Sequence, residues 1–191
     1  MVQEVFSCSP ERQQKEAARG FWHCSGCTYQ DLREQSARFV NQLDVFGIAI
    51  GGALGKDKKE MSRIISWVQK VADPERPRHL LGIGDLDVLE KIIKQGIDLF
   101  DCALPTRVAR HGQAFTNRGA INIKSSRYRH VLRPIQRGCS CPTCQSYNLS
   151  QLNFLFRAKE QLAGKLLTMH NLFFLGDKLE KIRLKISIKQ F

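Results

Sequence analysis

The stretch from residue 78 to residue 105, RHLLGIGDLDVLEKIIKQGIDLFDCALP, contains two strand-like runs on either side of a helical pattern. The runs are RHLLGIG (78–84) and GIDLFDCALP (96–105), and the helical pattern covers 86–95. Each run ends in residues that favour a turn. This stretch therefore predicts a strand, a helix and a second strand joined by short connections.

The same succession occurs twice upstream. GFWHCSG (20–26), interpreted as a buried strand, precedes a helical pattern at 28–43, and FGIAIGG (46–52) precedes another at 58–71. In the first helix the expected buried positions are Leu32, Ser36, Phe39, Val40 and Leu43. Four strand-then-helix units predict an α/β fold with parallel strands and right-handed crossovers.

In a closed barrel of such units, chemistry collects where the strands end and the next loop begins. Asp101 lies at such a position, and so do Ser25, Gly51, Gly52 and Gly84. The residues after Asp101, LPT, predict a turn and not the start of a helix, which disfavours a capping role for this acid. Asp101 therefore lies where the chemistry of such a barrel would collect. IGGALGKD (50–57) is excluded as a phosphate loop, because Ile50 and Asp57 replace the required Gly and Ser or Thr.

The charge of the chain is strongly positive, with 30 Lys and Arg against 18 Asp and Glu. Residues 102–159 contain ten of these basic residues and no acidic residue. A solvated basic face explains short runs of this kind, but so long a stretch without an acid favours a surface that contacts a phosphate backbone. We find no apolar run long enough to span a membrane and no signal sequence, and we expect a cytoplasmic protein without membrane contact.

Cysteine spacing predicts a metal site. Cys139, Cys141 and Cys144 form CxCxxC, and three thiolates so close together can face one tetrahedral ion. The fourth candidate ligand is His170, at the end of a helix predicted over 149–167, so we expect one Zn²⁺. The alternative is three reduced surface thiols and a core histidine. The pair Cys24 and Cys27 is a weaker candidate, because no second pair stands near it.

Several motifs together resemble the tRNA-guanine transglycosylases, also called queuine tRNA-ribosyltransferases. They are AIGGALGK, HLLGIGD, GIDLFDCALPTRVARHGQAF, INIKSSRYRHVLRPI and CSCPTC followed by HNL, and they run over about 20–176. The resemblance implies a (β/α)8 TIM-type barrel with a zinc-binding subdomain. It also implies exchange of the wobble guanine in a tRNA anticodon loop for a 7-deazaguanine, queuine or its precursor. The chain would supply the C-terminal half: 1–19 is unmatched, 20–112 contains barrel units five to eight, and 113–191 contains the zinc-binding subdomain and C-terminal helices.

By this resemblance, Asp101 matches the nucleophile that forms a covalent ribosyl intermediate, and Cys139, Cys141, Cys144 and His170 match the zinc ligands. Ser25, Gly52 and Ala53 match positions that bind the base. Two stretches match tRNA-binding segments: Gly82, Ile83, Gly84, Asp85, Leu86 and Asp87, and then Thr106, Arg107, Val108, Ala109 and Arg110. Two positions depart from the family pattern. Ser25 stands where a Gln is usual, and Gly55-Lys56 stands where Gly-Glu is usual, so the base pocket is expected to differ.

Two function classes follow. In the first, the chain is an enzyme that works with a complementary N-terminal half, because the family's second catalytic acid lies upstream of the matched region. In the second, the chain is a catalytically incompetent zinc-containing remnant or accessory subunit that binds tRNA. The expected partners are tRNA, the 7-deazaguanine base, and either a second copy of the chain or the complementary half.

Overall fold

The computed structural model describes residues 20–189, so the predicted N-terminal segment 1–19 lies outside the described residues. The described chain forms two compact units, which divide between Cys102 and Ala103. This division falls ten residues before the functional boundary predicted at 112, which stays a prediction. None of the helices within 20–189 is both long and apolar enough to cross a membrane.

The first unit is a four-stranded parallel sheet with helices between successive strands. Its strands are β1 (Phe21–Cys24), β2 (Gly47–Ile50), β3 (Arg78–Leu80) and β4 (Leu99–Phe100), and their order in the sheet is their order in the chain. The helices are α1 (Gln30–Asn41), α2 (Lys58–Gln69) and α3 (Leu89–Lys94). The prediction of an α/β fold with parallel strands is confirmed.

Local sequence explains why α2 forms where it does. Asp57 caps its start by accepting hydrogen bonds from the backbone N–H groups of Lys59 and Glu60, both at 2.8 Å. Apolar residues then recur at helical spacing and make one stripe, which packs on the sheet: Met61, Ile64, Ile65 and Val68. Ile48 and Ile50 of β2 are buried in the same core cluster as this stripe.

The buried face of α1 differs from the predicted one. Its buried residues are Arg33, Ala37 and Val40, whereas Leu32 and Phe39 are 46% and 55% exposed. The prediction was right for Val40 but did not consider Arg33, whose guanidinium is buried and donates hydrogen bonds to backbone carbonyls within the unit. The strand β1 is also less buried than expected, since only Cys24 is buried and Trp22 is 53% exposed.

The sheet presents two different faces. Because side chains alternate along a strand, the register places one set away from the helices: Phe21, His23, Ala49, His79 and Leu99. Asp101 follows β4 on this same face. Leu99 is 44% exposed, so this face is only partly covered within the described residues. His23, His79 and Asp101 therefore lie on the face of the sheet that is turned away from the helices.

The second unit is mostly helical. It contains α4 (Leu104–Arg110), the antiparallel pair β5 (Gln113–Ala114) and β6 (Ile121–Asn122), a 3-10 turn (Ser126–Tyr128), α5 (Pro142–Ser146), α6 (Leu149–Arg157) and α7 (Gln161–Ser187). Its core includes Ala109, Ala114, Ile123, Leu149, Leu152 and Leu167.

Two predictions for this unit were wrong. The residues LPT begin α4, because a proline in the first turn of a helix loses no hydrogen bond there. The helix predicted over 149–167 is two helices, α6 and α7, separated at residues 158–160, where Lys159 has a φ of 60°. His170 consequently lies inside α7 and not after a helix end.

Candidate metal centre and nucleophile site

The four predicted metal ligands converge in the second unit. Cys139, Cys141, Cys144 and His170 each offer one ligand atom, and these atoms all lie within 4.8 Å of one another. The Nδ1 atom of His170 is 3.4 Å from the Sγ atoms of Cys141 and Cys144 and 3.9 Å from that of Cys139. Donor atoms on a tetrahedral zinc, with Zn–S of about 2.3 Å and Zn–N of about 2.0 Å, are separated by similar distances.

The surroundings of His170 point its free nitrogen at the three thiols. Its Nε2 atom lies 2.8 Å from the backbone carbonyl of Phe115, so Nε2–H donates to that carbonyl. The proton is then on Nε2, and the Nδ1 lone pair faces the sulfur atoms. A hydrogen bond from the second ring nitrogen is the usual support for a metal-binding histidine.

Burial favours the neutral forms of Cys139, Cys144 and His170. It raises the pKa of the Cys144 thiol to about 12 and also raises the pKa of Cys139, while it lowers the pKa of His170. The histidine is therefore held neutral, as a ligand must be, but the thiols need a cation to become thiolates. A three-sulfur, one-nitrogen set in this geometry fits Zn²⁺, and the cluster can hold such an ion.

The second candidate site is Asp101, directly after β4 in the first unit. Its Oδ1 atom accepts a hydrogen bond from the backbone N–H of Gly82 at 3.1 Å and lies 3.0 Å from Nε2 of His79. The side chain of Asp101 is 58% exposed, whereas that of His79 is 23% exposed. The carboxylate is thus oriented by two neighbours from the end of β3 and remains open to a solvent-borne reactant.

The loops that contain Ser25, Gly52 and Ala53 are held together by Arg33. Its guanidinium donates to four carbonyls, those of Cys24 and Cys27 in the first loop and of Gly51 and Ala53 in the second, at 2.8–3.1 Å. Ser25 directs its hydroxyl to Nδ1 of His23 at 3.0 Å. The structure therefore brings the two predicted base-binding loops to one edge of the sheet.

The predicted tRNA-binding stretches are only partly available to a ligand. In α4, Arg107 and Arg110 are exposed, whereas Ala109 is buried in the core and Thr106 donates its hydroxyl to the carbonyl of Ala103. Any RNA contact by these side chains would fall mainly to the two arginines.

In the other stretch, Gly82 and Asp87 are exposed, and Asp87 forms an ion pair with Lys58. Gly84 packs so closely on Cys102 that a Cβ atom there would lie 2.5 Å from the cysteine Cβ. Close packing explains the glycine without any contact to RNA.

Sequence reasoning missed three buried or half-buried polar residues. Arg33 and His79 are described above, and Asn171 is the third. The side chain of Asn171 accepts from the N–H of Phe115 and donates to the carbonyls of Pro105 and Gln113. A single polar residue in a helix gives no signal of such a role, because its partners are distant in sequence.

The weaker cysteine pair does not form a second metal site among the described residues. Cys24 is buried and directs its sulfur to the carbonyl of Arg33, whereas Cys27 is exposed. None of the six cysteines within 20–189 forms a disulfide, and Cys8 lies outside the described residues.

A parallel α/β unit with an oriented carboxylate, followed by a helical unit with a Cys3His cluster that could hold a metal ion, defines a class of α/β protein with a candidate metal centre. Comparison with known proteins makes the assignment specific. The family model described as queuine tRNA-ribosyltransferase matches residues 5–191, and this chain belongs to that family. The prediction of the family, drawn from motifs over about 20–176, is confirmed.

Curated relatives named queuine tRNA-ribosyltransferase agree with this assignment. The relative from Bacillus velezensis is 42% identical over 159 residues, which cover 83% of this chain and 42% of the relative. That from Protochlamydia amoebophila is 41% identical over 157 residues, 82% of this chain and 41% of the relative. That from Staphylococcus aureus is 38% identical over 177 residues, 92% of this chain and 47% of the relative. The chain therefore spans less than half the length of these relatives.

Proposed function

We propose that this chain carries the nucleophile of a tRNA-guanine transglycosylase, which exchanges the wobble guanine of a tRNA for a 7-deazaguanine in queuosine modification. The observation that carries the proposal is the orientation of Asp101 by Gly82 and His79 at the end of a parallel strand, in a chain of this family. Because both contacts engage Oδ1, we assign attack to the other carboxylate oxygen.

The reaction has two displacements at the ribose C1′ atom. In the first, an oxygen of Asp101 bonds to C1′, the bond from C1′ to N9 of guanine breaks with its electron pair going to guanine, and guanine takes up a proton. In the second, the incoming 7-deazaguanine loses a proton, bonds to C1′ and releases Asp101. This is the double displacement of retaining glycosidases, with a purine in place of water.

The four parallel strands are proposed to be the C-terminal half of a (β/α)8 barrel. A complete barrel has eight strands and about 250 residues. The partly exposed face with His23, His79, Leu99 and Asp101 would then be the barrel interior. A complementary half would supply the remaining strands and the second acid that protonates the leaving guanine.

We assign contacts with the base and with the tRNA to the predicted stretches described above. Ser25, Gly52 and Ala53 would contact the 7-deazaguanine, with the short Ser25 hydroxyl already bound to His23. Arg107 and Arg110, with the stretch from Gly82 to Asp87, would contact the anticodon loop. Extruding an unpaired loop nucleotide costs only a few kcal/mol, so base flipping is energetically feasible here.

Zn²⁺ would be held by Cys139, Cys141, Cys144 and His170 in a zinc-binding subdomain covering 113–191. All four ligands come from protein side chains, which is typical of a structural zinc without an open position for substrate. Its contribution would be to fix α5 and α7 against the loop that carries Cys139.

A second candidate function is a non-catalytic tRNA-binding accessory chain that pairs with itself or with another subunit. The specific observation in its favour is the stretch 102–159, which contains ten Lys and Arg and no acidic residue. In this case Asp101 would be a remnant, while the basic surface and the metal site would retain their roles.

A base-exchange assay tests the proposal. Purified chain is incubated with labelled guanine and unmodified tRNA that has a wobble guanosine, alone and with a separately expressed segment covering the first four strands of a relative. We expect no incorporation by the chain alone, since the second acid is proposed to come from the complementary half, and incorporation with the added segment. Asp101→Asn should abolish it, while Asp31→Asn, an exposed acid in α1, should not. Incorporation by the chain alone, or by the Asp101→Asn variant with the added segment, would contradict the proposal.

A further inference from the structure

An open cavity of about 520 Å³ lies in the second unit, between the turn that joins β5 to β6 and the loop that precedes the first metal ligand. Three arginines, three neutral polar residues and two isoleucines line it: Arg118, Arg133, Arg137, Thr116, Asn117, Gln136, Ile121 and Ile135. A cavity of this volume can accommodate a ligand of nucleotide size. Its lining makes it a candidate binding site for an anion.

None of the residues that line the cavity is acidic, although Arg137 also lines a smaller neighbouring pocket that contains Asp177 and Lys181. Residues 102–159 contain no Asp or Glu, so no carboxylate is near in sequence. The ion pairs in the described part of the second unit are Lys181 with Asp177 and Arg183 with Glu180, both in α7. Three guanidinium groups line one cavity without an acidic residue in its lining, which favours a ligand with more than one negative charge.

The walls of the cavity are held in place before any ligand arrives. In the turn, Thr116 and Gly119 exchange backbone hydrogen bonds at 3.1 and 3.0 Å. The backbone N–H of Asn117 donates to Oε1 of Gln136 at 3.2 Å and joins the turn to the facing loop. Arg133 donates to the carbonyls of Pro134 and Ile135, which restricts its direction. Binding would therefore order mainly the exposed side chains of Arg118 and Arg137.

We propose that this cavity binds consecutive phosphates of an RNA backbone. Planar guanidinium groups match the oxygen pairs of a phosphodiester, and the neighbouring amides and hydroxyl can donate to the remaining oxygens. The inference rests on the proposed function for the identity of the RNA, but it assigns a site separate from the anticodon-loop stretches. Within the basic stretch 102–159, the proposal assigns phosphate contacts to three side chains, Arg118, Arg133 and Arg137.

Salt-dependent binding tests the site. The affinity of the full chain for tRNA is measured at several salt concentrations by fluorescence anisotropy, for wild type and for Arg118→Gln/Arg137→Gln. Loss of two phosphate contacts should lower the slope of log affinity against log salt by about two units. The matched control is Arg183→Gln/Lys185→Gln, which removes the same charge from exposed positions of α7. A slope change in the cavity variant no larger than in the control overturns the proposal.

A second measurement identifies the source of the phosphate and does not depend on catalysis. Arginine Nε–H signals of ¹⁵N-labelled chain are followed during titration with a single-stranded RNA, with inorganic phosphate and with a poly-glutamate peptide. Saturable shifts of Arg118, Arg133 and Arg137 with RNA, at a lower concentration than with the other two probes, support the proposal. Tighter binding of inorganic phosphate or of the peptide overturns it.

Unchanged metal content and melting temperature of the cavity variant verify its fold. The outcome is separable from the proposed glycosyl transfer, because Asp101→Asn would abolish base exchange and leave these arginine shifts intact.

Discussion

Replacing Cys141 by serine should empty the metal site and unfold the second unit first. Cys141 is fully buried, and its sulfur lies 3.4 Å from Nδ1 of His170. The same sulfur accepts the backbone N–H of Cys144 at 3.3 Å, at the start of α5. A serine oxygen is a harder and much poorer zinc ligand than a thiolate, and its shorter bond to Cβ draws the ligand atom away from the other three.

The expected size of the effect follows from what the metal holds together. Cys141 and Cys144 belong to the same core as Leu149, Leu152 and Leu167, so the ligands are part of the packing and not an appendage. Apparent zinc-binding free energies for structural sites are about 10–16 kcal/mol, comparable to the total stability of a small domain, about 5–15 kcal/mol. Loss of one of four ligands should therefore remove most of the stability of residues 103–189.

Two measurements check this expectation. Native mass spectrometry should find one Zn²⁺ per wild-type chain and none on Cys141→Ser, and calorimetry should show a low-temperature transition in the variant or in wild type treated with a chelator. Cys27→Ser is the matched control, because Cys27 is exposed and lies outside the cluster. A Cys141→Ser variant with full zinc content and an unchanged melting curve would refute the assignment of the ligands.

Two further predictions concern the first unit. Arg33→Met should destabilise it by about 3 kcal/mol or more, because four carbonyls lose their hydrogen-bond donor. The control Arg38→Met, at a side chain that is 63% exposed, should change the stability little. Equal denaturant midpoints for the two variants would contradict this prediction. With the complementary half present, His79→Leu should lower kcat about tenfold without changing tRNA affinity, since one hydrogen bond to Asp101 is lost. His79→Gln should restore part of the rate. A change in tRNA affinity alone would contradict a positioning role for His79.

Features set by local sequence were predictable. The parallel sheet followed from four short apolar runs separated by helical patterns, and the metal ligands followed from the CxCxxC spacing together with one histidine. In both cases the residues that form the sheet or the Cys3His cluster are the same residues whose pattern is recognisable in the sequence. The position of Asp101 directly after a parallel strand was predictable from the strand pattern, whereas its catalytic role stays a prediction.

Features set by distant partners were not predictable. Arg33 appears in a polar, helical stretch, and only the carbonyls of two loops, one of them 18–20 residues away, make its burial favourable. The break between α6 and α7 falls in Ala-Lys-Glu, which are good helix formers, so the left-handed backbone of Lys159 reflects the packing of both helices on the core. Nothing in the sequence pointed to a role for His79, because its partner Asp101 is distant in sequence.

The adjacency of His170 and Asn171 limits how this part of the chain can evolve. His170 must face the metal, Asn171 must reach the ends of α4 and β5, and the carbonyl of Leu166, one turn earlier, accepts the hydroxyl of Thr143. Each residue added to a helix rotates everything beyond it by about 100° and advances it by about 1.5 Å. A single insertion between Leu166 and Asn171 would therefore break the metal site and the anchor of α4 together. Divergent homologues can exchange the exposed residues of α7 freely, but this five-residue interval should keep a constant length.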